Sequence, residues 1–446
     1  MEFKHQDGIT NARELGTGKF TILGIQHLFA MFGATILVPA LTGLSVSTTL
    51  LFAGIGTLLF HFISKMQVPA FLGSSFAFIG GYLSVKQLGM EQGMSETLAL
   101  DYACIGVMCA GMCYFIMAAL IKAFGSQKVL KFFPPVVTGP MVIAIGLTLS
   151  GSAIQNCTSN WFLAIVAIVV VILSSIWGKG IIKIVPILLG VIASYTLAAA
   201  MGEVDFSSVN DAAWIGLPFS RETSVLAVTD DFNGSFLLSS IIAIVPIAFA
   251  TIMEHIGDMC AISSPVGRDF LAKPGLHRTL IGDGLATALA SIFGAPANTT
   301  YGENTGVLNL TRVFDPAVIR LAAIFSIILS FCPKFACIIG LMPAATIGGV
   351  SLILYGMISS VGVRNLVESA VDLSSSRNVF VAALILVLAI GVKYGANDSV
   401  AIGSIHLSGL AIAALVGIIL NAVLPEQLGM KVKSFNGKEK KHQEHT

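Results

Sequence analysis

Apolar runs of about 20 residues recur along the chain from Phe20 to Pro425, and this repetition limits the fold more than any other feature. A run of that length crosses the hydrocarbon core of a bilayer as one helix. Only 11% of the residues are charged, against about 25% in soluble domains, and the mean hydropathy is +0.88. The sequence therefore predicts an all-α polytopic membrane protein.

Hydropathy divides the chain into fourteen candidate transmembrane segments. The third and the tenth are short and rich in Gly, Pro and polar residues, which makes them the least regular of the set. The segments are predicted at 20–41, 47–64, 69–85, 99–121, 134–153, 161–177, 182–201, 237–260, 277–294, 298–313, 316–338, 343–362, 378–394 and 406–424.

The distribution of basic residues supports this count and orients the chain. With both termini in the cytoplasm, 21 of the 25 Lys and Arg residues fall on the cytoplasmic side. Cytoplasmic loops are enriched in Lys and Arg, so the asymmetry favours fourteen spans. Removing the third or the tenth span would invert all loops beyond it. The four residues on the outer side are Lys86, Arg221, Lys334 and Lys393.

Similar segment openings indicate an internal repeat. A Pro-Ala pair opens the third segment at Pro69 and the tenth at Pro296. The fifth and twelfth segments also open alike, each with a proline five positions before a glycine, at Pro134 and Pro343. An odd number of spans separates the partners, so the halves have opposite orientation, as in the inverted repeats of secondary transporters. The sequence thus predicts a 7+7 inverted repeat whose interrupted segments form the binding site.

Ionisable side chains inside predicted spans are functional candidates, since each costs roughly 2.5–3.5 kcal/mol or more at the bilayer centre. Glu254 and Asp258 in the eighth span are four residues apart and share a helix face. Two such carboxylates repel in a low dielectric, so one of them is expected to bind a proton near neutral pH. The alternative is a pair of buried acids that accept hydrogen bonds from helix N-termini or hydroxyls.

Three further ionisable residues lie in predicted spans. Glu303 is in the tenth segment, His27 in the first and Asp283 in the ninth. His27 fits a structural hydrogen bond as well as a transport role. Asp283 stands between two glycines in a helix-packing stretch, so we assign it a structural role.

The third and tenth segments are predicted to be short extended pieces followed by half-helices. Such backbone is tolerated at membrane depth only where it is buried in protein or lines a cavity. Half-helices that begin near Phe76 and Glu303 would direct backbone N–H groups at one central point. Kinked packing helices are the alternative.

The chemistry of these groups suits a planar base such as uracil or xanthine. Carboxylates accept hydrogen bonds from N–H groups, and backbone amides donate to carbonyl oxygens. Phe76, Tyr301 and Tyr355 are expected to line the pocket.

Two motifs resemble those of the nucleobase–ascorbate transporters, also called nucleobase–cation symporters type 2. The run 26–39 is similar to the family's first-span motif, and the run 303–312 is similar to its signature. The similarity covers residues 15–425. The matching motif positions are Gln26, His27, Asn304, Gly306 and Thr311.

The resemblance implies fourteen spans in two inverted sevens, arranged as a core domain and a gate domain, and a homodimer in the inner (plasma) membrane. The implied core comprises 20–124 and 237–338, and the implied gate comprises 125–202 and 339–425. The remaining ranges are a cytoplasmic N-terminus at 1–19, an extracellular loop at 203–236 and a cytoplasmic tail at 426–446.

Within this family, residues 73–78 and 298–304 are most similar to bacterial uracil permeases. The resemblance implies that carboxylates bind the base, that two backbone amides contact it and that neighbouring side chains complete the pocket. The implied substrate contacts, with the walls named above, are Ala34, Phe76, Glu254, Tyr301, Gly302, Glu303 and Tyr355. The candidate proton-coupling residues are His27, Glu254 and Asp258.

One position departs from the uracil pattern. Uracil permeases of this type often carry His four residues after the glutamate of the eighth span, where this chain has Asp258, as does the xanthine and urate branch. That branch, however, usually has Gln where Glu303 stands. The expected function is uracil:proton symport, and xanthine or urate symport is the alternative.

Other classes of function fit the sequence less well. An anion exchanger of the sulfate-permease type shares the inverted-seven architecture, but acids at the site would repel its substrate. The sequence contains no metal-ligand cluster, nucleophile elbow or phosphate-binding loop, so neither an enzyme nor a cofactor or metal is expected. The expected coupling ion is a proton. The net charge of +1 argues against a nucleic-acid partner.

Overall fold

The computed structural model describes residues 8–130, 134–230, 232–396, 399–402 and 405–425. Residues 1–7 of the predicted cytoplasmic N-terminus and the whole predicted tail lie outside the described residues. Within the described ranges the chain is mainly α-helical, with two short antiparallel sheets.

The N-terminal half consists of helices and one short strand, and a 3₁₀ turn at Phe76–Phe78 leads into α3. Its elements are α1 (Thr17–Thr42), α2 (Val46–Ile63), β1 (Leu72–Ser74), α3 (Ile79–Glu91), α4 (Glu96–Phe124), α5 (Ser126–Leu130), α6 (Pro135–Cys157), α7 (Trp161–Trp177), α8 (Ile181–Ile184), α9 (Pro186–Ala200) and α10 (Ser207–Asp211).

The C-terminal half also contains long helices and one strand between them, and it ends with a second pair of strands and one more helix. Its elements are α11 (Gly234–Ile244), α12 (Ile247–Val266), α13 (Leu276–Ile292), β2 (Asn298–Thr300), α14 (Gly302–Thr311), α15 (Pro316–Ser330), α16 (Pro333–Gly340), α17 (Ala344–Glu368), α18 (Ser376–Gly395), β3 (Ser399–Ile402), β4 (Ile405–Ser408) and α19 (Gly409–Val423).

Seven helical segments in the described part are long and apolar enough to cross a membrane. They are α1, α2, α4, α6, the joined α11 and α12, α17 and α18. An eighth results if α15 and α16 form one broken span, and α7, α9 and α19 are shorter apolar helices. Each of the fourteen predicted segments contains at least one helix, but the count of fourteen spans stays a prediction.

The predicted segments differ from the structure in three places. The eighth breaks between α11 and α12 at Pro246, which has no N–H group to continue the helical bonding. The eleventh is bent by 86° between α15 and α16, where Cys332 is extended and Pro333 starts the second helix. The chain is also not wholly α-helical, because β3 and β4 form a hairpin that the sequence analysis did not predict.

The strands β1 and β2 come from distant parts of the chain and pair antiparallel in the buried centre. Two more backbone hydrogen bonds extend the pairing. The N–H of Ser75 donates to the carbonyl oxygen of Ala297 at 2.8 Å, and that of Tyr301 donates to the carbonyl oxygen of Phe71 at 3.0 Å. The extended pieces and half-helices predicted for the third and tenth segments are therefore confirmed.

Two helix pairs pack backbone to backbone through glycines. On α4 and α13, a Cβ at Gly111 would lie 2.8 Å from the carbonyl oxygen of Gly284, and one at Gly284 would lie 2.7 Å from that of Gly111. On α6 and α17, Gly139 and Gly362 stand in the same relation, at 3.1 and 2.6 Å. Membrane helices approach this closely only where small residues face each other.

Candidate functional site

Three carboxylates surround one opening between α12 and α14. Glu254 and Asp258 lie on α12, and Glu303 lies in the first turn of α14. Glu254 is exposed, and the other two are half-buried. The three groups are within electrostatic range of one another. The structure thus brings together all three acids that the sequence analysis singled out for binding or coupling.

The opening gives access to the N-terminus of α14. A Cβ at Gly257, Gly302 or Gly306 would meet no described atom within 4 Å. The first N–H groups of a helix have no partner within it, and Tyr301, which caps α14, supplies no side-chain hydrogen bond to them. The carboxylate of Glu303 accepts from its own N–H, and the N–H of Gly302 at the start of the helix is placed to donate to a carbonyl oxygen of a ligand.

Asp258 is tied to strand β2. The hydroxyl of Thr300 donates a hydrogen bond to Oδ2 of Asp258 at 2.6 Å. This bond fixes the carboxylate beside the crossing of β1 and β2, next to the start of α14. The alternative from the sequence is a pair of buried acids that accept hydrogen bonds from hydroxyls. One oxygen of Asp258 accepts such a bond.

The second half-helix, predicted near Phe76, also starts without a side-chain cap. Phe76 is half-buried and opens the 3₁₀ turn before α3. Ser75 precedes it, and its buried hydroxyl has no hydrogen-bond partner among the described residues. Ala34 is buried on α1, where its carbonyl oxygen lies 3.5 Å from the hydroxyl oxygen of Ser74.

Tyr301 is buried at the strand crossing, with only 3% of its surface exposed. Its hydroxyl donates to the carbonyl oxygen of Ser74 at 2.8 Å and lies 3.3 Å from the hydroxyl of Thr35 on α1. The ring passes over Gly73, where a Cβ would stand 2.5 Å from it. The side chain therefore braces β1 against α1 and α14, and its predicted contact with substrate stays a prediction.

Tyr355 lies on a different helix pair. It is buried on α17, and its hydroxyl lies near those of Ser152 and Ser351. No described partner is aligned well enough to form a hydrogen bond with that hydroxyl. Its predicted place in the pocket stays a prediction.

The two family motifs meet in the structure. Asn304 on α14 donates from Nδ2 to the carbonyl oxygen of His27 on α1 at 3.0 Å, and the same atom lies 3.2 Å from Nδ1 of His27. The structural hydrogen bond expected of His27 is thus present, and its role in proton coupling stays a prediction. Nε2 of His27 and Oε1 of Gln26 are buried without a hydrogen-bond partner among the described residues.

The other two signature residues have different surroundings. Thr311 ends α14, where its hydroxyl donates to the carbonyl oxygen of Val307 at 2.9 Å and accepts from the N–H of Val313 at 3.3 Å. Gly306 faces the opening. The signature therefore serves both to anchor α14 and to keep its accessible face free of side chains.

A buried histidine–aspartate contact connects α12 to α13. Nδ1 of His255 is 2.9 Å from Oδ2 of Asp283, and both side chains are fully buried. Both members are within electrostatic range of the acids at the opening, Asp283 of Glu254 and His255 of Asp258. The structural role assigned to Asp283 stays a prediction.

Sequence reasoning missed the polar groups that hold the two strands. Thr57 on α2 exchanges hydrogen bonds with the backbone of Leu72, at 2.9 and 3.2 Å. Thr287 on α13 donates to the carbonyl oxygen of Asn298 at 2.8 Å. His61 contacts the carbonyl oxygen of Ala70 at 2.8 Å. Their only signal in the sequence is a polar side chain within an apolar run.

Comparisons with solved structures show which known folds this arrangement resembles. The transmembrane domain of a cyanobacterium bicarbonate transporter, BicA, has a TM-score of 0.59 at 15% identity, over 93% of this chain and 99% of that one. SLC26A9 has a TM-score of 0.61 at 11% identity, over 91% of this chain and 66% of that one. At these identities the likeness is one of fold alone.

Sequence comparisons identify the family. Residues 18–397 match the family described as "Permease family". The uracil permease of Bacillus subtilis is 40% identical over 90% of this chain and 92% of its own length. The uracil permease of Escherichia coli is 38% identical over 90% of each. The chain is therefore an integral membrane protein that belongs to the permease family, the nucleobase–ascorbate transporters or nucleobase–cation symporters type 2.

Proposed function

We propose that this protein takes up uracil together with a proton by alternating access. The observation that carries the proposal is the opening between α12 and α14, where Glu254, Asp258 and Glu303 meet an uncapped helix N-terminus. The relatives named as uracil permeases match along nearly the whole chain, so they support the choice of base.

The donors and acceptors of the opening complement those of uracil. Glu254 accepts a hydrogen bond from a ring N–H, and Glu303 accepts from the second edge or braces the half-helices. The backbone N–H groups of Gly302 and Phe76 donate to the ring carbonyls. Hydrogen bonds to a charged group are worth roughly 1.5–3 kcal/mol, so the acids should dominate the affinity.

A neutral base cannot offset the charge of the acids, and we propose that a proton does so. Glu254 or Asp258 takes up the proton from the outer side, and His27 is a further candidate because its Nε2 has no described partner. With the charge reduced, the loaded core domain can move past the gate domain, because the movement no longer has to bury an unpaired charge.

For the architecture we propose fourteen spans in a 7+7 inverted repeat. The hydrogen bonds from Ser75 to Ala297 and from Tyr301 to Phe71 support it, because exchanging the two strands turns each bond into the other. The threonines that hold the strands, on α2 and α13, are counterparts in the same way.

This repeat defines the proposed domains. The core comprises 20–124 and 237–338, and the gate comprises 125–202 and 339–425, with the loop 203–236 outside and both termini in the cytoplasm. We propose that the protein is a homodimer in the inner membrane, with no cofactor other than the transported proton and no nucleic-acid partner.

Xanthine or urate symport is the second candidate, and Asp258 is the observation that favours it. The carboxylate stands beside β2 where uracil permeases often carry His. The second ring of a bicyclic base would have to fit into the part of the opening beside Asp258 and β2. The sulfate-permease type of anion exchange is less well supported, because the likeness to anion-transporter structures concerns the fold alone.

Uptake of radiolabelled uracil into proteoliposomes tests the proposal. With the interior alkaline we expect accumulation above the external concentration, which a protonophore abolishes and a tenfold excess of unlabelled xanthine leaves unchanged. Accumulation of labelled xanthine without uracil uptake would transfer the assignment to the purine branch. Uracil uptake that does not depend on the pH gradient would show that transport is not coupled to protons.

A further inference from the structure

A crevice separate from the carboxylates opens between α4 and α13. It has a volume of about 450 Å³. Its walls are apolar and include Phe115, Ala119 and Ile281, and its rim carries Lys122, His277 and Arg278. Lys122 lies in the last turn of α4, and His277 and Arg278 lie in the first turn of α13. The basic-residue distribution predicts this side of the membrane to be cytoplasmic.

The crevice forms where the two helices diverge. Further into the membrane α4 and α13 touch through Gly111 and Gly284. The protein surface beside the crevice is apolar. The exposed fractions of Phe62 on α2 and of Ile116 and Phe124 on α4 are 71%, 63% and 61%. A surface of this kind at a helix end contacts the acyl chains of one leaflet.

The rim has a surplus of positive charge. Lys122, Arg278 and nearby Lys65 all act electrostatically on His277. Among the described residues no carboxylate forms an ion pair with any of these three cations. Within the described ranges the guanidinium of Arg278 has one hydrogen-bond acceptor, the carbonyl oxygen of Ile63 at 3.5 Å. The cluster is therefore available to an external anion.

We propose that this crevice binds an anionic phospholipid of the inner leaflet. An acyl chain lies against the apolar walls, and the headgroup phosphate accepts hydrogen bonds from Lys122, His277 and Arg278. Basic pockets between transmembrane helices on the cytoplasmic side suit such headgroups, because the apolar walls and the charged rim match the two parts of the lipid. The substrate opening has the reverse polarity, with acids instead of cations.

Lipid binding to the purified full-length protein in detergent tests this site. Native mass spectrometry with added phosphatidylglycerol should show saturable binding, and phosphatidylcholine should bind about tenfold more weakly. The double variant Lys122→Gln/Arg278→Gln should lose about tenfold or more in phosphatidylglycerol affinity. The matched control Lys179→Gln/Lys183→Gln removes two exposed cations from α8 and the turn before it, and should bind as the parent does.

A second variant tests the apolar walls, which contact the acyl chain, separately from the basic rim. Ala119→Trp fills the crevice and leaves every cation in place, so it should lower phosphatidylglycerol affinity while glycerol 3-phosphate remains a weak ligand of both proteins. Equal binding of the two lipids, or an unchanged affinity in both variants, would overturn the proposal. Glycerol 3-phosphate binding as tight as lipid would assign the site to a free phosphate. A change of oligomeric state in the variants without lost lipid binding would assign it to a second copy of the chain.

Discussion

The strand crossing and the contact between α6 and α17 lie in the same protein and are held together in different ways. At the crossing, the hydroxyls of two threonines on α2 and α13 donate to backbone carbonyl oxygens of β1 and β2. An imidazole on α2 contacts the carbonyl oxygen of Ala70 before β1, and the side-chain amide of Asn298 on β2 donates to the carbonyl oxygen of Phe52 on α2. At the contact of α6 with α17, glycine backbones touch, and side-chain hydrogen bonds from Ser359 and Asn365 on α17 to α6 flank them. The first arrangement fixes groups that can bind a ligand, whereas the second brings two helix backbones close together.

This difference follows from the backbone. A strand at membrane depth leaves N–H and C=O groups unpaired, and each must find a partner. A helix satisfies its own backbone, so two helices need only small residues to approach each other. Variants that remove polar groups should therefore act on transport at the crossing, and variants that add bulk should act on folding at the helix contact.

The largest expected effect on transport comes from Glu254→Gln. The amide keeps the shape of the side chain but loses the charge that accepts a hydrogen bond from the base. A hydrogen bond to a charged group is worth roughly 1.5–3 kcal/mol, so uracil uptake should fall by about 10- to 100-fold. Initial uptake rates in proteoliposomes measure this.

The control for this prediction is the folded state of the variant. Thermal unfolding in detergent should stay within about 2 °C of the parent, since Glu254 forms no hydrogen bond with the described residues and faces the opening. We expect the same pattern for Glu303→Gln. Normal uptake by both variants would show that the acids are not the binding groups.

At the helix contact we expect Gly146→Leu to destabilise the protein. A Cβ at Gly146 would overlap the carbonyl oxygen of Tyr355 and the hydroxyl of Ser359 on α17. Overpacking costs about 1–3 kcal/mol, and the upper end applies here because backbone must move. Gly391→Leu is the matched control on α18, where no described atom lies within 4 Å of the added Cβ. Equal unfolding temperatures of the two variants would contradict a close contact.

The sequence predicted the site more completely than it predicted how the site is built. Proline, glycine and polar residues at 69–75 and 296–301 were enough to predict extended backbone, because they exclude regular helix. The acids were found because charge in an apolar run is costly. The register of β1 with β2 could not be found, since it depends on contacts between residues far apart in the chain.

Tyr301 illustrates the limit of such reasoning. An aromatic residue beside a predicted pocket suggests a wall, but the sequence does not show that the ring also lies over β1, where Gly73 leaves room for it. The missing side chain at Gly73 thus allows the orientation of the Tyr301 ring. Thr57 and Thr287 were missed for a related reason, because a threonine in a helix normally bonds to its own helix backbone.

Tyr301→Phe should separate bracing from substrate contact. The variant keeps the ring and loses the hydrogen bond to Ser74, so the free energy of unfolding should fall by about 1 kcal/mol. The KM for uracil should stay within about twofold of the parent, with a lower maximal rate if the half-helices loosen. An unchanged unfolding temperature with a raised KM would instead make Tyr301 a substrate contact.

The smallest expected effect on uptake comes from Asp258→Asn, and it concerns pH. A carboxylate at this position can bind a proton from the outer side, and the amide cannot, so uptake by the parent should decline as external pH rises from 5 to 8 while uptake by the variant is flatter. Thr300→Val is the matched control, since it removes the hydrogen bond to Oδ2 of Asp258 but keeps the carboxylate, and its uptake should remain pH-dependent. If Asp258→Asn keeps the full pH dependence and Glu254→Gln retains enough uptake to show a flat profile, the proton is carried by Glu254. Glu254 would then both bind the base and carry the proton, and Asp258 would serve to fix β2 beside it.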